Sequence, residues 1–309
     1  MTLEGLYVPL ITPFTDTGDL DPDALEGLAH SVLDDGATGL VALGTTAEAA
    51  TLTVDERGRV LDICAHVCEQ RGAPLIAGAG SNSTTDSIEA LTALDPRVTA
   101  ALTVVPYYTR PTEAGVLAHF RHLAAASPVP LIVYNIPYRT ARTLGLDTLR
   151  ELAATPNIIG FKHAVGGIDD TTIALMSTVP TDVAVLAGDD LHVAPMLALG
   201  APGAIIASAN LATAAFATLI ETWRTGPLRE ARPLGHRLAT FSATLFAEPN
   251  PVVIKSVLAA LGRIPTPTVR LPLLPATPTA TNAALAALPT EPLHPAAPHN
   301  RPPALATTP

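Results

Sequence analysis

The sequence predicts an α/β protein, a (β/α)8 or TIM barrel over residues 1–225, followed by a helical C-terminal appendage over residues 226–288. Three observations predict it. Eight short apolar runs recur along the chain, each is followed by a stretch with helix punctuation, and the runs are continuous in Val, Ile, Leu and Ala rather than alternating. Continuous runs mark strands buried on both faces, as in a parallel sheet covered by helices. Eight strand–helix units within the first 225 residues suit a barrel, which typically takes about 250 residues. A doubly wound open sheet is the alternative.

In chain order the strands are predicted at Tyr7 to Thr12, Gly39 to Gly44, Pro74 to Gly80, Ala100 to Tyr107, Pro130 to Ile136, Asn157 to Ala164, Val183 to Asp189 and Ala204 to Asn210. Helix starts stand between them. Asp21-Pro22 places proline at a first turn, Thr53-Val-Asp-Glu56 has capping-box spacing, and Thr112 with Glu113 opens another helix. After Trp223 the strand signal stops, and Pro227 to Phe246 and Pro249 to Leu261 read as two further helices. Residues 289–309 hold seven prolines in 21 positions with little to bury, which predicts a disordered, partly extended tail.

Composition narrows the function. At 48% hydrophobic and 15% charged residues the chain has a core to build. Its 18 basic against 28 acidic residues give a net charge of −10, which argues against a nucleic-acid surface and against attraction to anionic membranes. No apolar run approaches the roughly 18 to 20 residues of a membrane span. The N-terminal residues lack the pattern of a signal peptide, so a cytoplasmic protein is expected. Cys64 and Cys68, one helical turn apart, read as small core side chains rather than a metal or redox pair.

The 18 basic residues divide into 16 arginines and two lysines, Lys162 and Lys255. In a barrel the active site lies at the C-terminal ends of the strands. The polar residues predicted there are Thr45 and Thr46, Tyr107 and Tyr108, Tyr134 and Asn135, Lys162, Gly188 and Asp189, and Ser208 and Asn210. Lys162 falls inside a buried run, where the cost of an unpaired ammonium favours the neutral amine, a nucleophile toward carbonyls. Arginine cannot replace it because it never deprotonates. The competing role is a lysine that reaches the rim or pairs with Asp189.

Tyr134, one strand away, offers a donor–acceptor hydroxyl for proton relay, and serves equally well as a core tyrosine. Gly44-Thr45-Thr46 supplies hydroxyls and N–H groups at a tight turn, a concavity suited to a carboxylate. Lys255 reads as structural. His119 and His122, and Asp189 with His192, offer metal-ligand types, but no third ligand converges and no metal is expected. Gly78-Ala-Gly-Ser-Asn82 reads as ordinary turn glycines rather than a phosphate cradle.

Six ordered motifs then carry a resemblance. They are Val8-Pro-Leu-Ile-Thr-Pro-Phe14, Gly44-Thr-Thr-Ala-Glu48, Val105-Pro-Tyr-Tyr-Thr-Arg-Pro111, Tyr134-Asn-Ile-Pro-Tyr-Arg-Thr140, Gly160-Phe-Lys162 and Ala187-Gly-Asp-Asp190, with Asn250-Pro251 and Arg270-Leu-Pro272 beyond them. Together they resemble the dihydrodipicolinate synthase and N-acetylneuraminate lyase family. The resemblance implies a homotetramer or homodimer that runs class I aldolase chemistry on pyruvate and a small aldehyde, with a covalent Schiff base in place of any cofactor. Lys162 would form that Schiff base. Tyr134, Thr46 and a Tyr108 contributed by a neighbouring subunit would relay protons. Thr45 and Thr46 would hold the pyruvate carboxylate, Gly188 and Ile206 would line the pocket, and Arg139 would grip the carboxylate of the aldehyde.

Within the family, the Thr45-Thr46 and Tyr107-Tyr108 pairs and Arg139 resemble the synthase branch, which implies L-aspartate 4-semialdehyde as acceptor and a place in lysine and diaminopimelate biosynthesis. A 2-keto-3-deoxy sugar acid aldolase or N-acetylneuraminate lyase-like enzyme is the alternative. Four positions depart from the family pattern: Ala47 for glycine, Ala49 for serine, Tyr138 for a small residue and His163 for an acidic one. Ala47 and His163 motivate a third reading, a non-catalytic pyruvate-binding relative. Asn82 resembles part of the family's lysine-inhibition site, whereas Val54 and Arg57 do not match it.

Overall fold

A computed structural model describes residues 3–289 of the chain. The proline-rich tail expected over 289–309 lies, beyond Pro289, outside the described residues. Eight parallel strands close into one barrel in chain order. They are β1 (Gly5–Pro9), β2 (Gly39–Ala42), β3 (Leu75–Gly78), β4 (Ala100–Val104), β5 (Leu131–Asn135), β6 (Ile158–His163), β7 (Ala184–Ala187) and β8 (Gly203–Ile205). β1 and β8 seal the barrel with Tyr7 beside Ile205.

The continuous apolar runs are explained by two cores, one on each face of the strands. Tyr7, Val41, Ile76, Leu102, Ile132, Leu186 and Ile205 fill the barrel interior. Their chain neighbours Leu6, Val8, Leu40, Leu75, Ala101, Val133 and Ala204 join a larger cluster under the helices. Strand side chains alternate faces, so a strand with apolar partners on both sides needs no polar positions.

The punctuation read from sequence forms as expected. Asp21 caps the helix Pro22–Asp34 by accepting from the Ala24 N–H. Thr53 and Glu56 form a reciprocal capping box on Val54–Arg71, and Thr112 caps Glu113–Ala126. Cys64 and Cys68 sit buried and unbridged on Val54–Arg71, and burial pushes both thiols up, Cys68 to about 12. Such thiols are inert packing groups. No helix among the described residues is long and apolar enough to cross a membrane.

The first and fourth strands end three residues earlier than expected, at Pro9 and Val104, and two stretches differ more. The eighth strand ends at Ile205 and a helix starts at Ala209, instead of a strand running to Asn210. The turn is made by distant and local groups together: the Asp190 carboxylate accepts from the Ser208 N–H, and the Asn210 side-chain amide donates to the distant Pro9 carbonyl and the nearby Ala207 carbonyl. Beyond the expected helices, found at Leu228–Leu245 and Val252–Ala260, a third forms at Pro278–Ala286. Thr277 caps it and Pro278 occupies its first turn.

Candidate active site

β5 and β6 run side by side with Tyr134 registered opposite Lys162. Both side chains point into the barrel and are 7% and 6% exposed, so the pair sits at the floor of the mouth rather than in solvent. The Lys162 Nζ lies 4.3 Å from the centre of the Tyr134 ring. The amine therefore stands against an aromatic face and not against a carboxylate. No carboxylate among the described residues forms an ion pair with it. Asp189 instead accepts from the Gly166 N–H at 2.7 Å, so the sequence alternative of a Lys162–Asp189 pair does not form.

Gly188 belongs to the same site for a steric reason. A Cβ at that position would stand 2.9 Å from the Lys162 Cγ and 2.9 Å from the His163 carbonyl oxygen. Only glycine leaves the lysine stem its path to the mouth. The next residue, Asp190, is buried, which raises its carboxyl, with the hydrogen bonds from Ser208 opposing.

After β2 the chain makes a 3-10 turn at Thr45–Ala47, with Thr46 2% exposed. The Ala47 and Glu48 N–H groups close this turn on Gly44 and Thr45. The Thr45 and Thr46 N–H groups, one step earlier, have no partner within it. The Thr46 hydroxyl accepts from the Asn250 side-chain amide at 3.0 Å, which leaves its own hydrogen to donate elsewhere.

The β4 and β5 loops present the remaining candidates. Tyr108 is 87% exposed on a left-handed backbone (φ 67°). Arg139 is also exposed, on the short helix Pro137–Thr140, with its guanidinium carbon 5.7 Å from the Tyr138 ring. The two loops are tied together where Arg110 Nε donates to the Ala141 carbonyl and Arg142 donates to the Arg110 carbonyl.

Four sequence candidates direct their side chains elsewhere. The Ile206 side chain packs in the outer cluster under the helices, while its neighbour Ile205 faces the barrel interior. Asn210 is fully buried and spent on the β1–β8 junction. His119 and His122 meet the Thr84 hydroxyl and the Ala118 carbonyl. Among the described residues no three metal-ligating side chains gather.

The departures from the family pattern also take defined places. Ala47 lies in the 3-10 turn, and the left-handed residues around it are Leu43 (φ 57°) and Glu48 (φ 52°), so no glycine is required at 47. His163 points out of the barrel, its Nε2 3.0 Å from the Thr172 hydroxyl, which in turn donates to Asp169. Burial pushes His163 down to about 4, against the pull of Asp169, so it is neutral near pH 7 and exerts no charge on its neighbour Lys162.

One group that sequence reading set aside is close to the site. Lys255, taken there as a structural appendage residue, is completely buried and donates to Glu48 at 2.8 Å. The only sequence signal was the rarity of lysine.

A closed eight-stranded barrel with a buried lysine and tyrosine facing each other at the mouth defines the class of barrel enzymes that work on small substrates from the C-terminal ends of the strands. The chain belongs to the dihydrodipicolinate synthetase family, whose model matches residues 2–290. It is 39% identical over 278 residues to a 4-hydroxy-tetrahydrodipicolinate synthase of Neisseria meningitidis, covering 89% of this chain and 94% of that one. A synthase of the same name from Methanothrix thermoacetophila is 38% identical over 272 residues, covering 88% and 91%. Among solved structures, the dihydrodipicolinate synthase of Thermotoga maritima superposes with a TM-score of 0.89 at 30% identity, covering 93% of this chain and 98% of that one. The chloride-inhibited enzyme of Acinetobacter baumannii, solved with pyruvate, gives 0.88 at 36% identity over 93% and 98%. The protein is thus a lyase-type enzyme similar to the 4-hydroxy-tetrahydrodipicolinate synthases.

Proposed function

We propose that the protein condenses pyruvate with a small aldehyde through a Schiff base on Lys162, and that the aldehyde is L-aspartate 4-semialdehyde, giving 4-hydroxy-tetrahydrodipicolinate for lysine and diaminopimelate synthesis. The observation that carries the reading is the Lys162 amine, 6% exposed and 4.3 Å from the Tyr134 ring centre, at the end of a barrel strand. The relatives' names support the substrate pair.

In this reading the Lys162 Nζ attacks the keto carbon of pyruvate, and water leaves to give the iminium. Loss of a methyl proton yields the enamine, whose carbon attacks the aldehyde carbonyl. The new alkoxide takes a proton, and the amino group brought by the semialdehyde adds to the iminium carbon, closing the ring and expelling the Lys162 amine as 4-hydroxy-tetrahydrodipicolinate forms. Tyr134 carries protons at Nζ and at the leaving hydroxyl, joined by Thr46 and by Tyr108 of a second copy. The exposure of Tyr108 supports its reaching another subunit, as a homodimer or homotetramer would allow. The N–H groups and hydroxyls of Thr45 and Thr46 bind the pyruvate carboxylate, Gly188 and the main chain at Ile206 shape the wall, and the exposed Arg139 takes the aldehyde's carboxylate as a bidentate partner. The lysine itself serves where another enzyme would use a cofactor.

Turnover of pyruvate with a panel of aldehydes, in the parent and in Arg139→Ala, tests the substrate. Loss confined to the carboxylated aldehyde is expected. Equal turnover of that aldehyde by both proteins, or a preference for a sugar aldehyde, contradicts the assignment.

A further inference from the structure

The Thr45-Thr46 turn is bracketed by two residues in left-handed backbone, Leu43 (φ 57°) and Glu48 (φ 52°). Each costs about 1 to 2 kcal/mol for a side-chain-bearing residue and persists only where surrounding structure imposes it. On the Leu43 side the constraint is backbone packing: a Cβ at Gly78 would fall 2.2 Å from the Leu43 carbonyl oxygen, so glycine lets β3 close against the turn. On the Glu48 side the constraint comes from the C-terminal region. Glu48 Oε1 accepts from Lys255 Nζ at 2.8 Å, and Oε2 accepts from the Arg270 N–H at 2.9 Å. Both side chains of the Lys255–Glu48 pair are sealed, at 0% and 1% exposure.

The packing around the pair points the same way. Lys255 Nζ lies 4.0 Å from the Phe14 ring centre, and the Arg270 guanidinium carbon lies 4.3 Å from it. Arg270 also donates to the Thr51 carbonyl, and Asn250 to the Thr46 hydroxyl. Three residues of the appendage, at 250, 255 and 270, therefore converge on three positions of one loop, at 46, 48 and 51. Burial pushes Lys255 down to about 8 while Glu48 pulls it up, so the amine stays mostly protonated near pH 7. A sealed ion pair gains little net stability over apolar packing, so its use here is the geometry it fixes.

We propose that Lys255 is a positioning residue for substrate: through Glu48 it locks the Thr45-Thr46 turn in the shape that receives the carboxylate of a 2-keto acid, so that the C-terminal helices set pyruvate affinity. The inference rests on the Schiff-base reading of Lys162.

Borohydride trapping at Lys162 with pyruvate, and separately with acetone, which has the ketone without the carboxylate, tests it. In Lys255→Met, half-saturation by pyruvate rises about 10- to 100-fold while acetone trapping is unchanged. Glu48→Gln, which keeps side-chain volume, shows the same loss of preference for pyruvate over acetone and carries the test if the methionine variant does not fold. Parent-like half-saturation by pyruvate in a folded variant, or equal loss for both ketones, overturns the role of the pair. Failure of the parent protein to trap pyruvate overturns the Schiff-base reading instead.

Discussion

Tyr134 and Lys162 stand opposite one another in register on adjacent strands, with the amine 4.3 Å from the ring centre and no carboxylate paired to it among the described residues. The ring packs against the amine, and the hydroxyl at its far end remains for chemistry.

Removing that hydroxyl alone is therefore informative. Tyr134→Phe retains the ring under Lys162 and should leave the fold and pyruvate half-saturation close to those of the parent, while kcat falls about 10²- to 10⁴-fold, the usual worth of a positioned proton carrier. Steady-state kinetics with thermal unfolding as control check this. A variant with unchanged kcat would make Tyr134 a packing residue only.

Gly188→Ala tests the steric side of the site. Its Cβ would press on the Lys162 Cγ and the His163 carbonyl at 2.9 Å, which a barrel strand cannot relieve without moving the lysine. The expected result is a loss of about 10²-fold or more in the rate of covalent trapping, with a smaller change in stability. Parent-like trapping would show that the lysine reaches the mouth by another path.

Stability should depend on pH through His163. Its folded value, about 4, lies below the 6.5 of a free histidine, so between these values the unfolded chain binds more protons. The contribution is fully present above pH 6.5 and is lost as pH falls toward 4. His119, also pushed down to about 4 chiefly by burial, acts in the same window. Unfolding midpoints measured across this window should fall with acidification, and His163→Gln should flatten part of the slope. An identical slope in the variant would contradict the assignment.

Glu56 governs a lower window. The Arg270 guanidinium, chiefly by hydrogen bonding, holds this carboxyl at about 2, below the 4.5 of a free glutamate. Its stabilisation is present above pH 4.5 and disappears as pH falls toward 2. Arg270→Met should remove that acid-sensitive component, read as a smaller difference in unfolding midpoint between pH 4.5 and pH 3. Unchanged acid sensitivity would argue against the pair.

Much of the barrel was legible because each strand is buried on both faces and so reads as an unbroken apolar run, as at Leu131–Asn135. The β8 end was not, since Ile206 and Ala207 continue the apolar run while Asp190 and the distant Pro9 carbonyl help to turn the chain there. The helix Pro278–Ala286 hid in a Thr-, Ala- and Pro-rich stretch whose sole local signal was Thr277-Pro278. Lys162 and Tyr134 were found together because strand ends in a barrel share one mouth. The partnership of Lys255 with Glu48 spans 207 residues, and no pattern in the sequence announces it.

The central claim is that Lys162 forms a Schiff base with pyruvate. Borohydride reduction in the presence of pyruvate, followed by peptide mass analysis, addresses it directly, with Lys162→Arg as the control because arginine never supplies a neutral amine. The account predicts one pyruvate-derived adduct per chain, located at Lys162 and absent from the variant. An unmodified Lys162 under saturating pyruvate, or an adduct on Lys255 instead, would contradict it.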